Sequence, residues 1–165
     1  MPKFALICIM LFPGLAVLAA DPPQVHVDPS VPSVPRPLEP QTERAAVRDY
    51  VQSWQLMATA FEQNRADLLS QDFVGAAMDK LSSAIKEQSA LGMSTHYRDV
   101  SHDIQFLFYS PEGLSIEFVD TVKFDVQVFD RGRLVATRHE NARYLVVLSP
   151  AEVRWRVRVF QALHS

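Results

Sequence analysis

Cysteine is all but missing from this chain. Its 165 residues hold one, Cys8, and that one sits in a stretch that reads as removed on export. The mature chain can then form no disulfide, even in an oxidising compartment. A basic excess is missing too. Sixteen Lys and Arg against nineteen Asp and Glu give a formal charge of -3, without the basic face that nucleic-acid binding needs, so no nucleic-acid partner is expected. Glycine is scarce, at five, and no P-loop, dinucleotide fingerprint or nucleophile elbow is present. His26, His96, His102, His139 and His164 show no metal-ligand spacing, so neither metal nor cofactor is expected. What remains, 48% hydrophobic and 21% charged residues, is ordinary for one globular domain.

The first twenty residues read as targeting rather than fold. Lys3 gives the positive charge, Phe4 to Ala20 is almost wholly apolar, and Val17-Leu18-Ala19 puts small or modest residues at a cleavage site after Ala19 or Ala20. The run falls short of the ~20 residues of a spanning helix, and Pro13-Gly14 interrupts it. Residues 1–20 are expected to be a signal peptide and the product to be exported, periplasmic or secreted. The alternative is an uncleaved segment acting as a membrane anchor.

Residues 21–41 contain seven prolines. Proline fixes φ and lacks an N–H, so this stretch is expected to stay out of helices and central strands. It reads as a semi-rigid linker of ~3.1 Å per residue. The alternative is a ligand for a polyproline-reading partner.

The domain is expected over 42–165. Thr42 offers an N-cap, and Val47, Tyr50, Val51, Trp54, Met57, Ala58 and Phe61 recur at helical spacing over roughly 43–63. A short turn holds Leu68 and Leu69. A second helix carries Phe73, Ala77, Leu81, Ala84, Ile85, Gln88 and Leu91 on one face and ends at Gly92, a left-handed position. The period then changes to two. Four strands are expected, 95–109, 114–129, 133–148 and 152–163, joined by turns at Ser110-Pro111-Glu112-Gly113, Asp130-Arg131-Gly132 and Ser149-Pro150-Ala151-Glu152. Short turns make the sheet an antiparallel meander. Turn geometry pairs Phe108 with Ile116, Phe106 with Phe118, Ile104 with Asp120, Val128 with Leu134, Phe118 with Tyr144 and Ile116 with Val146. The third turn pairs Val146 with Trp155, Tyr144 with Val157 and Ala142 with Val159. One face then collects nearly all the large apolar side chains, and the helices must cover it.

Helices first, then a curved antiparallel sheet, resembles the NTF2-like, cone-shaped α+β fold. Within it the pattern is most similar to the IMS-like domain of plastid and cyanobacterial division proteins. The residues carrying this are Val51-Gln52-Ser53-Trp54-Gln55, Leu68-Leu69, Ala90-Leu91-Gly92-Met93, Tyr97, Ser110-Pro111-Glu112-Gly113 and Val153-Arg154-Trp155-Arg156-Val157. The resemblance implies the fold and a binding role. The superfamily also holds isomerases, dehydratases and hydrolases, so fold alone does not fix function.

Two places could carry chemistry. The register puts His102, Asp120, Arg138, Glu140 and Gln161 on the apolar face. His102 beside Asp120 is a general acid–base pair in the making, the carboxylate orienting the imidazole. Dehydratases and isomerases of this fold place such groups in the cone. Glu140, Arg138 and Gln161 would complete a pocket for a small molecule. The plainer reading has Arg138, Glu140 and Gln161 at a wet end of the sheet. The second place is the outer face, where Arg154, Arg156 and Arg158 alternate beside Arg143, Leu145 and Val147, with Leu107, Tyr109 and Val119 also pointing out. Arginine mixed with apolar groups suits an interface, with an unknown protein partner or a second copy. A solvated face is the plainer reading. The expectation is a non-enzymatic exported binding or scaffold domain. A lyase or isomerase using His102 and Asp120 is the runner-up, and a membrane-tethered domain the third.

Overall fold

A computed structural model of the chain describes residues 21–29 and 36–164. The expected signal peptide, with Lys3 and Cys8, lies outside them. The elements are β1 (Gln24–Val27), α1 (Pro40–Glu62), a 3-10 turn (Ala66–Gln71), α2 (Gly75–Ala90), β2 (Met93–Tyr109), β3 (Ile116–Asp130), β4 (Arg133–Pro150) and β5 (Trp155–Leu163). The sheet runs in sequence order, β1 to β5. β2 to β5 form an antiparallel meander and β1 joins the edge of β2 in parallel. No described helix is long and apolar enough to cross a membrane.

The helices follow from their periodicity. α1 buries Ala46, Tyr50, Trp54, Met57 and Phe61, and α2 buries Ala77, Leu81 and Ile85, each a single stripe facing the sheet. α1 starts at Pro40, earlier than expected, with Glu39 rather than Thr42 at the N-cap. Proline's fixed φ and missing N–H are harmless in a first turn, where that N–H has no helical partner. Gln88 ties the two helices to the sheet. Its Nε2 donates to the Phe61 carbonyl (2.7 Å) and to Asn64 Oδ1 (2.6 Å), and its Oε1 accepts from Thr95 Oγ1 (2.8 Å). Gly92 has φ 73°, the left-handed turn that ends α2 and enters β2.

Among the described residues the sheet has five strands, not four. Gln24–Val27 lies in the stretch expected to be all spacer, but its four residues contain no proline, and an edge position asks for pairing on one side only. Phe106–Phe118 and Ile104–Asp120 pair as expected. Bulges correct other pairings. The ladder shifts between Phe106 and Phe108, so Tyr109 rather than Phe108 faces Ile116. Tyr109, expected outside, is therefore buried. Between β3 and β4 the register is two residues from expectation, with Phe118 opposite Val146, Ile116 opposite Leu148 and Val128 opposite Ala136. A two-residue shift keeps every side chain on its face. The β4–β5 connection is longer than a two-residue turn. Val146 faces Phe160 rather than Trp155, and Tyr144 faces Ala162 rather than Val157. Ala142 has no β5 partner, and a bulge at Val147/Leu148 sends Val159 outward and Phe160 inward. The far edge of β5 is covered by the chain after the 3-10 turn, where Val157 N–H donates to the Asp72 carbonyl (2.8 Å) and Val74 N–H to that of Val157 (2.9 Å).

Candidate functional site

A further bulge, in β2, builds the polar centre. β2 has one unmatched residue, Val100, between Asp99 and Ser101. Before it, Thr95, Tyr97 and Asp99 face the helices; after it, His102, Ile104 and Phe106 do. A bulge thus puts Asp99 and His102, three residues apart, on one face. His102 Nδ1 lies 2.7 Å from Asp120 Oδ2, and Nε2 lies 3.2 Å from Asp99 Oδ2. The Tyr50 hydroxyl of α1 donates to the same Asp120 oxygen at 2.7 Å. His102 is 1% exposed and Asp120 0%. Edge-on rings of Tyr50 and Trp54 close over the imidazole, with centroids 5.8 and 5.4 Å away.

The electrostatics follow from these contacts. Burial pulls the His102 pKa down, but hydrogen bonds to Asp120 and Asp99, backed by their charges, outweigh it and push it up to about 9. At neutral pH the ring is an imidazolium donating from both nitrogens. Burial, then the Asp120 charge, raises the Tyr50 hydroxyl well above its usual value. An imidazolium with both N–H groups engaged has no lone pair with which to take a proton.

The cone keeps an opening elsewhere. A cavity of about 190 Å³ lies between the helices and the sheet, walled by Trp54, Phe61, Tyr97, Phe124, Tyr144 and Phe160, with Lys80 at its edge. Tyr144 and Phe160 stack at 4.4 Å and 6°. Neither His102 nor Asp120 lines this space. Trp54 stands between, one edge on the histidine and another on Phe124 at 5.5 Å.

The other expected site residues scatter. Glu140 pairs opposite Phe124, not beside Asp120, and is half-buried; Arg138 is exposed. Gln161, expected in the cone, is exposed and lies opposite Leu145, because the β5 bulge reverses the faces after Val157. The expected outer row of arginines is also broken. Arg154 reaches buried Asp72 at 2.6 Å, and Arg156 donates to the carbonyls of Ser70 and Phe73. Both turn to the edge covered by residues 72–74 and hold it. Arg143 and Arg158 are exposed. Of the apolar groups expected outside, Leu107 is exposed and Val119 buried. Among the described residues, no cluster of three or more His, Cys, Asp or Glu is set to hold a metal.

From the sequence, Asp99, Tyr50 and Asp72 carry no expected polar role, and Asp49 is expected on a solvated face of the first helix, whereas all four hold polar contacts inside the fold. Asp49, buried on α1, accepts the Trp155 N–H at 2.8 Å and so pins the start of β5. A charged residue inside an apolar helical stripe, next to Tyr50, was the signal for it.

No family model matches the chain, and no curated protein matches it. Solved structures do. The intermembrane space region of the chloroplast protein ARC6 superposes with TM-score 0.65 at 14% identity, over 79% of this chain and 100% of that one. A candidate scytalone dehydratase from Novosphingobium aromaticivorans gives 0.50 at 10% identity, over 76% and 89%. ActVI-ORFA from Streptomyces coelicolor gives 0.50 at 10%, over 72% and 96%. At these identities the likeness speaks for architecture alone: the chain has the NTF2-like α+β fold and is similar to the ARC6 intermembrane space region.

Proposed function

We propose that this chain is an exported, non-enzymatic binding domain whose ligand-accepting feature is the aromatic cavity at the mouth of the cone. One observation carries this: the acid–base pair and the aromatic cavity are separate. His102 spends both nitrogens on carboxylates, behind the Trp54 ring, while the cavity is walled by aromatic groups. General acid–base chemistry needs a group within hydrogen-bond reach of a reacting atom. The lyase or isomerase reading lacks that contact and is the weaker one. Export rests on the signal-like residues 1–20.

About 190 Å³ is slightly more than the roughly 150 Å³ that accommodates benzene in an engineered apolar cavity. The ligand is therefore one ring, free or presented as a side chain by a partner protein. Titration calorimetry with p-cresol tests this. The wild type should bind it in the millimolar range or tighter, and Ala162→Trp, which fills the cavity from β5, should not. No binding by the wild type, or equal binding by both, would refute the proposal.

A further inference from the structure

We propose that the β2 edge at Ser101–Ile104 is a strand-addition site, and that Gln24–Val27 is its resident, exchangeable strand. β1 pairs in parallel with four residues of a seventeen-residue strand, Val25 opposite His102 and Val27 opposite Ile104. Those two valines share the face of β2 that looks into the cone. Val27 packs on the core, half-buried, while Gln24, Val25 and His26 stay exposed. The Asp28 N–H adds a bond to the Ile104 carbonyl (2.9 Å).

A strand so short and exposed holds mainly through backbone bonds, which any extended segment can supply. Side-chain selectivity comes from the two inward positions, which take β-branched apolar residues spaced by one. Residues 28–39, with four prolines, join β1 to α1, and the contacts of Arg36 with Tyr109 and Pro111 and of Leu38 with the core are separate from those of β1. The site's ligand is thus an extended peptide of Val-x-Val type that competes with the chain's own copy. Covering the edge also guards it against unspecific pairing between sheets. The same clasp sets the reach of the N-terminus. With β1 docked, three residues separate Ala20 from the sheet, against the fifteen of 21–35 when it is free, since Arg36 contacts Tyr109 and Pro111.

The test uses full-length chains carrying Cys8→Ser and a fluorescent peptide of residues 21–30. One form is otherwise wild type. A second carries His26→Pro and Asp28→Pro, which remove the two N–H groups of this segment that face β2 and so unseat the resident strand. A third carries His26→Cys and Asp103→Cys, opposite one another across the edge, oxidised to lock it. Apparent affinity scales with the fraction of open sites, so the peptide should bind the proline form at least about tenfold more tightly than wild type. It should not bind the locked form, and a peptide with both valines changed to Asp should bind none. Equal binding to all three forms, or no binding to a folded proline form, overturns the proposal. Hydrogen exchange of the wild-type chain decides independently of any variant. The amides of His26 and Asp28, which face β2, should exchange far faster than those of β3; exchange at the same rate would make β1 an integral strand and refute it.

Discussion

Among the described residues, two histidines of this sheet pair with aspartate, on opposite faces. His102 meets Asp120 inside the cone, and both side chains are 0% exposed. His139 meets Asp125 on the outer face, where the histidine is 85% exposed and Arg98 shares the same carboxylate. The contact is chemically the same in both places, and burial makes the difference. Water solvates the outer ions whether or not they touch, so their pairing adds little. The inner ions have only each other, Asp99 and Tyr50, so losing one partner leaves the other uncompensated. Hydrogen bonds from Arg98 and then His139 lower the Asp125 pKa, yet that shift belongs to a surface carboxylate. The inner pair is a strut joining α1, β2 and β3; the outer pair is a surface ornament of β3 and β4.

The largest effect that would break this contrast is removal of the inner carboxylate. Asp120→Asn leaves an imidazolium buried against Asp99 alone, and breaking a buried pair in this way costs roughly 3–5 kcal/mol. Urea unfolding of the variant should show it. In a His102→Gln background the same substitution should cost far less, because no buried charge is left behind. A full-sized loss in both backgrounds would mean that Asp120 acts through Tyr50 rather than through the histidine.

The second effect sharpens the contrast through pH. The folded-state pKa of His102, about 9, lies above its unfolded value of ~6.5. Folding therefore favours the protonated ring. The stabilisation is fully present below about pH 6.5 and drains away as pH rises through 9, by on the order of 3 kcal/mol. The stability of the wild type should fall across that window, and that of His102→Gln should be flatter. A wild-type profile flat from 6.5 to 9 would show that the ring is neutral inside the cone.

Much of this was legible in the sequence. Helical spacing marked both buried stripes, and period two placed His102 and Asp120 in the cone even where the pairing register was off by two, because such a shift preserves the face. What hid was whatever hung on an extra residue or on a distant partner. Val100 is a single unmatched residue, visible beforehand only as a change of parity between Tyr97 and Ile104, and it alone brings Asp99 to His102. The β5 bulge moved Gln161 out for the same reason. Arg154 and Arg156 looked like an outer row because alternation says which side a residue leaves from, not that Asp72 and two carbonyls wait at the edge. β1 was masked by composition, since seven prolines drew attention from a proline-free Gln-Val-His-Val.

The smallest effect is the outer pair, and it tests whether burial alone separates the two. Asp125→Asn removes the carboxylate that both Arg98 and His139 contact. Arg98 is 64% exposed, so the released cations are rehydrated rather than stranded, and the loss should stay within about 1 kcal/mol. What loss there is should disappear in 1 M salt, where the screening length is about 3 Å. The inner substitution should keep nearly all its cost in the same salt, because ions cannot enter a site with no exposed atoms. A salt-insensitive loss at Asp125 would mean that the carboxylate holds β3 against β4 by hydrogen bonding. Its chemistry, rather than its exposure, would then set its worth.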